Sequence, residues 1–279
     1  MRWQGRRGSG NIEDRRGIPA RRGLVGGGLG TLVLIIAGLA LGVDPLALLQ
    51  VSTAVAPGGA APAGSGEVGT PGDDMGRFVD VVLADTEDTW NRIFAESGVD
   101  YPEPRLVLYQ GAVRSACGTA SAAVGPFYCP VDARVYLDLS FFRQLRDRFG
   151  APGDFAQAYV IAHEIGHHVQ NVTGTMEGFR GYAESGPDSR AVRMELQADC
   201  YAGIWAHDSQ SAGYVEPGDL REALRAAAAI GDDNIQRQTR GMVVPESFTH
   251  GTSEQRAAWF LRGYETGDPS ACDTFSGSI

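Results

Sequence analysis

His163 and His167 bracket Glu164 in the run AYVIAHEIGHHVQ, residues 158–170. Two residues four apart on an α-helix differ by about 40° in azimuth, so both imidazoles leave one face and can close on a single tetrahedral cation. That donor set suits one zinc ion. Glu164 points too far round to join the pair, but it is placed to act as general base on a metal-activated water. The preceding Tyr159, Val160, Ile161 and Ala162 are apolar, as a helix beneath a cleft requires, and Gly166 is expected to leave room near the metal.

A catalytic zinc takes three protein ligands, so a third must come from elsewhere. Glu195-Leu196-Gln197-Ala198-Asp199 offers two carboxylates four apart, in a run otherwise rich in alanine and apolar side chains. Glu195 can complete a His/His/Glu set, while Asp199 can accept the remaining ring N–H of a ligating histidine and fix its tautomer. Asp199 as the ligand itself is the competing assignment. His168 leaves the helix about 140° from the ligand direction and is expected to face solvent or a carboxylate. His207 ends a helix, where a cation suits the dipole.

The blocks HEIGHH, ELQADCYAGIW, ESFTHGTSEQRAAWF and CDTF together resemble the bacterial "putative neutral zinc metallopeptidase" family, over roughly residues 74–279. The resemblance implies a zincin-like domain that hydrolyses peptide bonds in peptide or protein substrates. Its gluzincin pattern, HExxH plus ExxxD, implies Glu195 as third ligand and Asp199 as the outer partner of a ligating histidine. THGTSEQR resembles the His-Pro-x-x-x-x-Arg segment of membrane-associated gluzincins, with Gly251 in place of the proline. That likeness implies His250 as a hydrogen-bond donor to the oxyanion and Arg256 as a residue orienting His250 or the substrate. In related zincins the substrate lies extended along an edge strand, and residues 134–139 (RVYLDL) are the expected strand here. The alternative is a catalytically silent, metal-stabilised scaffold tethered to the membrane; a purely structural site has no use for Glu164.

The elements that must position these residues follow from periodicity. Helices are predicted at 74–97, about 140–149, 154–172 with Asp154 as cap, 188–207, 220–230 and 253–264. Strands are predicted at 106–109 and 134–139. The class is therefore α+β, with a small sheet early and a helical C-terminal half. Cys117, Cys129, Cys200 and Cys272 fit no zinc knuckle, and pairing 117 with 129 and 200 with 272 suits an oxidising compartment. The second bridge would staple the tail to the helix bearing Glu195 and hold Asp199 in place.

Charge and hydropathy divide the chain further. The 279 residues carry a net charge of −10, which argues against nucleic acid as a partner. Residues 1–22 nevertheless hold seven arginines against Glu13 and Asp14, and read as a basic cytoplasmic arm. Residues 23–43 have Thr31 as their one polar side chain and, as a helix, would be about 31 Å long, enough for one transmembrane signal anchor. Residues 44–73 are rich in Pro, Gly and Ala and read as a flexible linker, leaving 74–279 as the metallopeptidase domain. The expected arrangement is a single pass through the bacterial cytoplasmic membrane with the C-terminal domain outside. Nothing in the sequence sets an oligomeric state.

Overall fold

The computed structural model describes residues 1–17, 66–178 and 184–279, which belong to one folded unit. The expected span at 23–43, and the linker as far as residue 65, lie outside the described residues. Among the described residues no helix is long and apolar enough to cross a membrane. The class is α+β, as expected: a small mixed sheet precedes a helical C-terminal half.

The sheet contains β1 (Ile12–Asp14), β2 (Glu67–Val68), β3 (Arg105–Tyr109), β6 (Phe127–Cys129) and β7 (Arg134–Asp138), in the order β2-β1-β3-β7-β6. β1, β3 and β7 run parallel, with β2 and β6 antiparallel at the two ends. β4 (Ala112–Ser115) and β5 (Gly118–Ser121) form a separate hairpin. Leu106 to Tyr109 are all buried, as an interior strand covered on both faces requires. Leu106 and Leu108 join Val135 and Leu137 in the main core, whereas Val107, Tyr109 and Tyr136 pack with Val113 and Cys129 on the other face.

The two expected strands are present, but 134–138 is interior. Its neighbour β6 (Phe127–Cys129) is the terminal strand on the side packed by the helix that carries His163, so the edge expected at 134–139 is not an edge. β6 escaped notice because three residues ending in a cysteine carry no readable alternation.

The helices are α1 (Asp74–Glu96), α2 (Ser140–Asp147), α3 (Asp154–Val172), α4 (Arg190–Ser211), α5 (Asp219–Ala229), α6 (Asp232–Arg240) and α7 (Ser253–Thr266). Asp73 caps α1 through Gly76 N, Ser189 caps α4 through Val192 N, and Thr252 with Gln255 forms a capping box on α7. Asp154 is the first helical residue of α3 rather than its cap, which is Gly153. α3 lies at the centre, packed by α1, α4 and α5, and α7 crosses α4.

Glycines set the two crossings that matter for the site. A Cβ on Gly166 would lie 2.9 Å from the Ala198 carbonyl oxygen and 3.0 Å from its Cα. The space opened by Gly166 is thus filled by the backbone of α4, not kept clear for the metal. Likewise a Cβ on Gly263 would lie 1.9 Å from the Cys200 carbonyl oxygen, and one on Gly203 2.1 Å from that of Phe260. These contacts bring α4 against α3 on one side and α7 on the other. Both disulfides, Cys117–Cys129 and Cys200–Cys272, are those expected, and no described cysteine is free.

Residues 1–17 are not a separate arm. β1 sits inside the sheet, Met1 is buried, and Trp3 packs edge-on against Phe78. Arg6 pairs with Asp85, Arg7 with Asp88 at 2.6 Å, and Arg16 with Asp14 and Asp73, each at 2.5 Å. Charge alone sets this stretch apart; the folded body supplies the counter-charges. Residues 66–73, expected within the linker, contribute β2 and the cap of α1.

Candidate metal centre

α3 and α4 place His163, His167 and Glu195 together, each buried, with one donor atom apiece all within 4.8 Å of one another. His163 Nε2 is 3.2 Å from Glu195 Oε2, and His167 Nε2 is 3.6 Å from Glu195 Oε1. Two imidazole nitrogens and one carboxylate converging in this way can hold a metal ion, and the set suits zinc. A second carboxylate group, Asp154, Asp219 and Glu222, shares the same spacing, but the Met1 amine sits 2.8 Å from Asp154 there.

The opposite nitrogen of each ring has its own partner. His163 Nδ1 lies 2.9 Å from Asp199 Oδ1, consistent with an N–H donated to the carboxylate. Asp199 therefore stands behind His163, outside the donor cluster. It also accepts from the Tyr159 hydroxyl and from Arg256, whose Nε and Nη2 lie at 2.8 and 3.0 Å. Arg256 was expected to meet His250 or the substrate. It is instead buried against Asp199, where the first turn of α7 packs on α4.

His167 has a different support. Its Nδ1 is 2.9 Å from Gln170 Oε1, while Gln170 Nε2 donates to the Met194 carbonyl at 2.7 Å and to Gln197 Oε1 at 3.1 Å. Gln197 in turn donates to the Cys272 carbonyl at 3.0 Å. The tail bridge thus connects to His167 through two glutamines as well as lying next to Asp199 in sequence. Sequence reasoning missed both glutamines, although the i,i+3 spacing of Gln170 to His167 was the available signal.

Glu164 is buried beside the cluster, 8% exposed, and burial pushes its carboxyl above the usual range. His250 lies on the loop before α7, with 41% of its side chain exposed. Asp232, at the start of α6, clamps that loop: one carboxylate oxygen accepts from the backbone N–H of Thr249, His250 and Gly251 at 2.7, 2.7 and 3.2 Å. The sequence reading missed α6 and Asp232 together, since DDNIQRQTR has Ile235 as its one apolar residue. His168 is buried rather than solvent-facing, held between the Tyr128 hydroxyl of β6 at 3.0 Å and the Pro102 carbonyl at 2.6 Å. His207 bonds the Tyr264 carbonyl, and no cluster of metal donors among the described residues includes it.

The charges of the cluster offset one another. Burial would lift the Glu195 carboxyl, but His250, His167 and His163 hold it well below its usual value. Burial would lower His163, yet Asp199 and Glu195 raise it to about 9. The His163 ring is thus biased toward its protonated form, and a metal ion held at Nε2 would compete with that proton. Apparent zinc affinity is expected to rise roughly tenfold per pH unit up to about 9 on this account and then flatten, as measured by chelator competition corrected for the chelator's own protonation. The sign reverses for the metal-free fold: this contribution to stability is complete below about 6.5 and lost as pH rises through about 9.

The family model described as "Putative neutral zinc metallopeptidase" matches residues 1–275. The chain is 47% identical over 300 residues to "Uncharacterized protein YpfJ" of Escherichia coli (strain K12), covering 100% of both chains. It is also 47% identical over 220 residues to "Uncharacterized protein Rv2575" of Mycobacterium tuberculosis (strain ATCC 25618 / H37Rv), covering 74% of this chain and 73% of that protein. No solved structure matches. With the HExxH helix and its glutamate partner in place, the chain belongs to the family of "putative neutral zinc metallopeptidases".

Proposed function

We propose that the protein is a zinc-dependent endopeptidase held at the bacterial cytoplasmic membrane, with Glu164 as general base. The observation that carries this reading is the convergence of His163, His167 and Glu195 beside a buried fourth group, Glu164, that the cluster does not use. Zinc bound there would lower the pKa of a water toward 7 and polarise the scissile carbonyl.

The chain's own residues supply the rest. Glu164 removes the proton of the attacking water and returns it to the departing amine; burial raises its carboxyl, the direction that favours holding that proton in between. His250, partly exposed on its loop, donates to the developing oxyanion. Asp199 and Gln170 keep the two ring N–H groups turned outward, so that both Nε2 atoms face the ligand side. β6 offers the terminal strand to which an extended peptide would pair. Two disulfides favour an oxidising compartment, so the unit works outside the cytoplasm, with residues 23–43 as its membrane-seeking stretch.

The test is metal analysis of the purified protein alongside cleavage of casein or a peptide library. One zinc per chain, cleavage abolished by chelation and restored by zinc, supports the reading; zinc-loaded protein without cleavage of any peptide overturns it.

Asp232 provides a further prediction. Asp232→Ala frees three backbone N–H groups and with them the position of His250. It is expected to lower kcat about 10- to 100-fold, within the range for loss of an oxyanion donor, with KM and zinc content little changed. A matching loss in zinc content would show that Asp232 serves the fold instead.

A further inference from the structure

We propose that residues 1–17 and residues 66–279 lie on the same side of the membrane, the former acting as an interior strand of the peptidase unit rather than as an arm left behind in the cytoplasm. This does not rest on the peptidase reading. It rests on how the two parts are joined.

β1 is hydrogen-bonded on both sides. It pairs parallel to β3, with Ile12 opposite Leu106 and Asp14 opposite Leu108, and antiparallel to β2, with Glu13 opposite Val68. The Gly66 N–H donates to Glu13 at 3.1 Å, and Arg16 reaches Asp73 at 2.5 Å. Gly17 and Gly66 thus both lie at the end of the same strand. A hydrogen-bonded ladder spans about 5 Å, whereas the hydrocarbon core of a bilayer is about 30 Å thick. One molecule cannot hold β1 between β2 and β3 and also have a membrane between them.

The face of α1 beneath this segment demands it. Asp80, Asp85 and Glu87 are all buried on α1, and their partners come from residues 6–11. Arg6 pairs with Asp85, the Gly10 N–H donates to Asp80 at 3.0 Å, and Ser9 and Asn11 donate to Glu87. The fit is close: a Cβ on Gly8 would lie 1.9 Å from Asp80 Oδ2. Without the segment, three carboxylates would lose their cover and β3 would become an open edge. The positive-inside rule pulls the other way, since seven arginines precede the apolar stretch. Docking pairs Arg6, Arg7 and Arg16 with Asp85, Asp88 and Asp73 of the folded body, which weakens that bias.

The experiment uses the full chain in its own membrane. Gln4→Cys and Asp100→Cys, both at exposed positions, are made separately and treated with a membrane-impermeant maleimide before and after lysis. The native cysteines, being paired, do not react. Equal accessibility of the two sites, whether both outside or both inside, is the expected result. Labelling of Asp100→Cys with protection of Gln4→Cys, or loss of residue 4 from the mature protein, overturns the proposal. As a second readout, Gly8→Leu should raise trypsin cleavage after Arg15 and Arg16 in the detergent-solubilised protein at least tenfold by expelling the segment. Unchanged cleavage would count against docking.

Discussion

Glu164→Gln is expected to keep one zinc per chain and to lower kcat for peptide hydrolysis by about 10²- to 10⁴-fold, the range for loss of a positioned general base. The substitution is nearly isosteric. Neither neighbouring ligand depends on the Glu164 carboxylate: His163 and His167 are held from behind by Asp199 and Gln170, and Glu195 comes from α4. Exchanging a buried carboxyl, already raised by burial, for an amide removes a desolvation cost, so stability should not fall. Metal analysis and cleavage on the same preparations therefore separate holding the ion from using it. A silent metal-stabilised scaffold has no turnover to lose, and equal cleavage by both proteins would take the catalytic role from Glu164.

The metal cluster was legible because its chemistry is local. His163 and His167 share a face by helix geometry alone, and Glu195 and Asp199 repeat the spacing on a second helix. The resemblance of the paired motifs set Glu195 with the two imidazoles and Asp199 behind His163, and the side chains lie there. What supports them was not legible. Arg256 acts across a helix crossing that glycines allow, Asp232 on a loop and Gln197 on the tail, and no periodicity announces which carboxylate a guanidinium will meet. The same limit hid β1. Three residues, Ile-Glu-Asp, carry little strand signal, and the arginines around them gave a stronger and misleading one. A charge run reads as solvated until its counter-charges appear, and for Arg6, Arg7 and Arg16 partners lie more than fifty residues away, on α1 and its cap.

Asp199→Ala should be the most damaging single change behind the ligands, and for two separable reasons. Asp199 is fully buried and is shared by His163, Arg256 and Tyr159. Removing its carboxylate strands the Arg256 guanidinium, itself 2% exposed, and an uncompensated buried charge costs about 3–5 kcal/mol. It also frees the His163 N–H, and losing such an outer partner lowers metal affinity about 10- to 100-fold. The double variant Asp199→Ala with Arg256→Met parts the two effects. Denaturant unfolding of the metal-free chain should recover most of the lost stability, since neither charge is then left alone. Zinc affinity should not recover, because the His163 ring still lacks its anchor. If affinity returned together with stability, Asp199 would be acting on the metal only through the packing of α7 on α4, and its direct orientation of His163 would have to be abandoned.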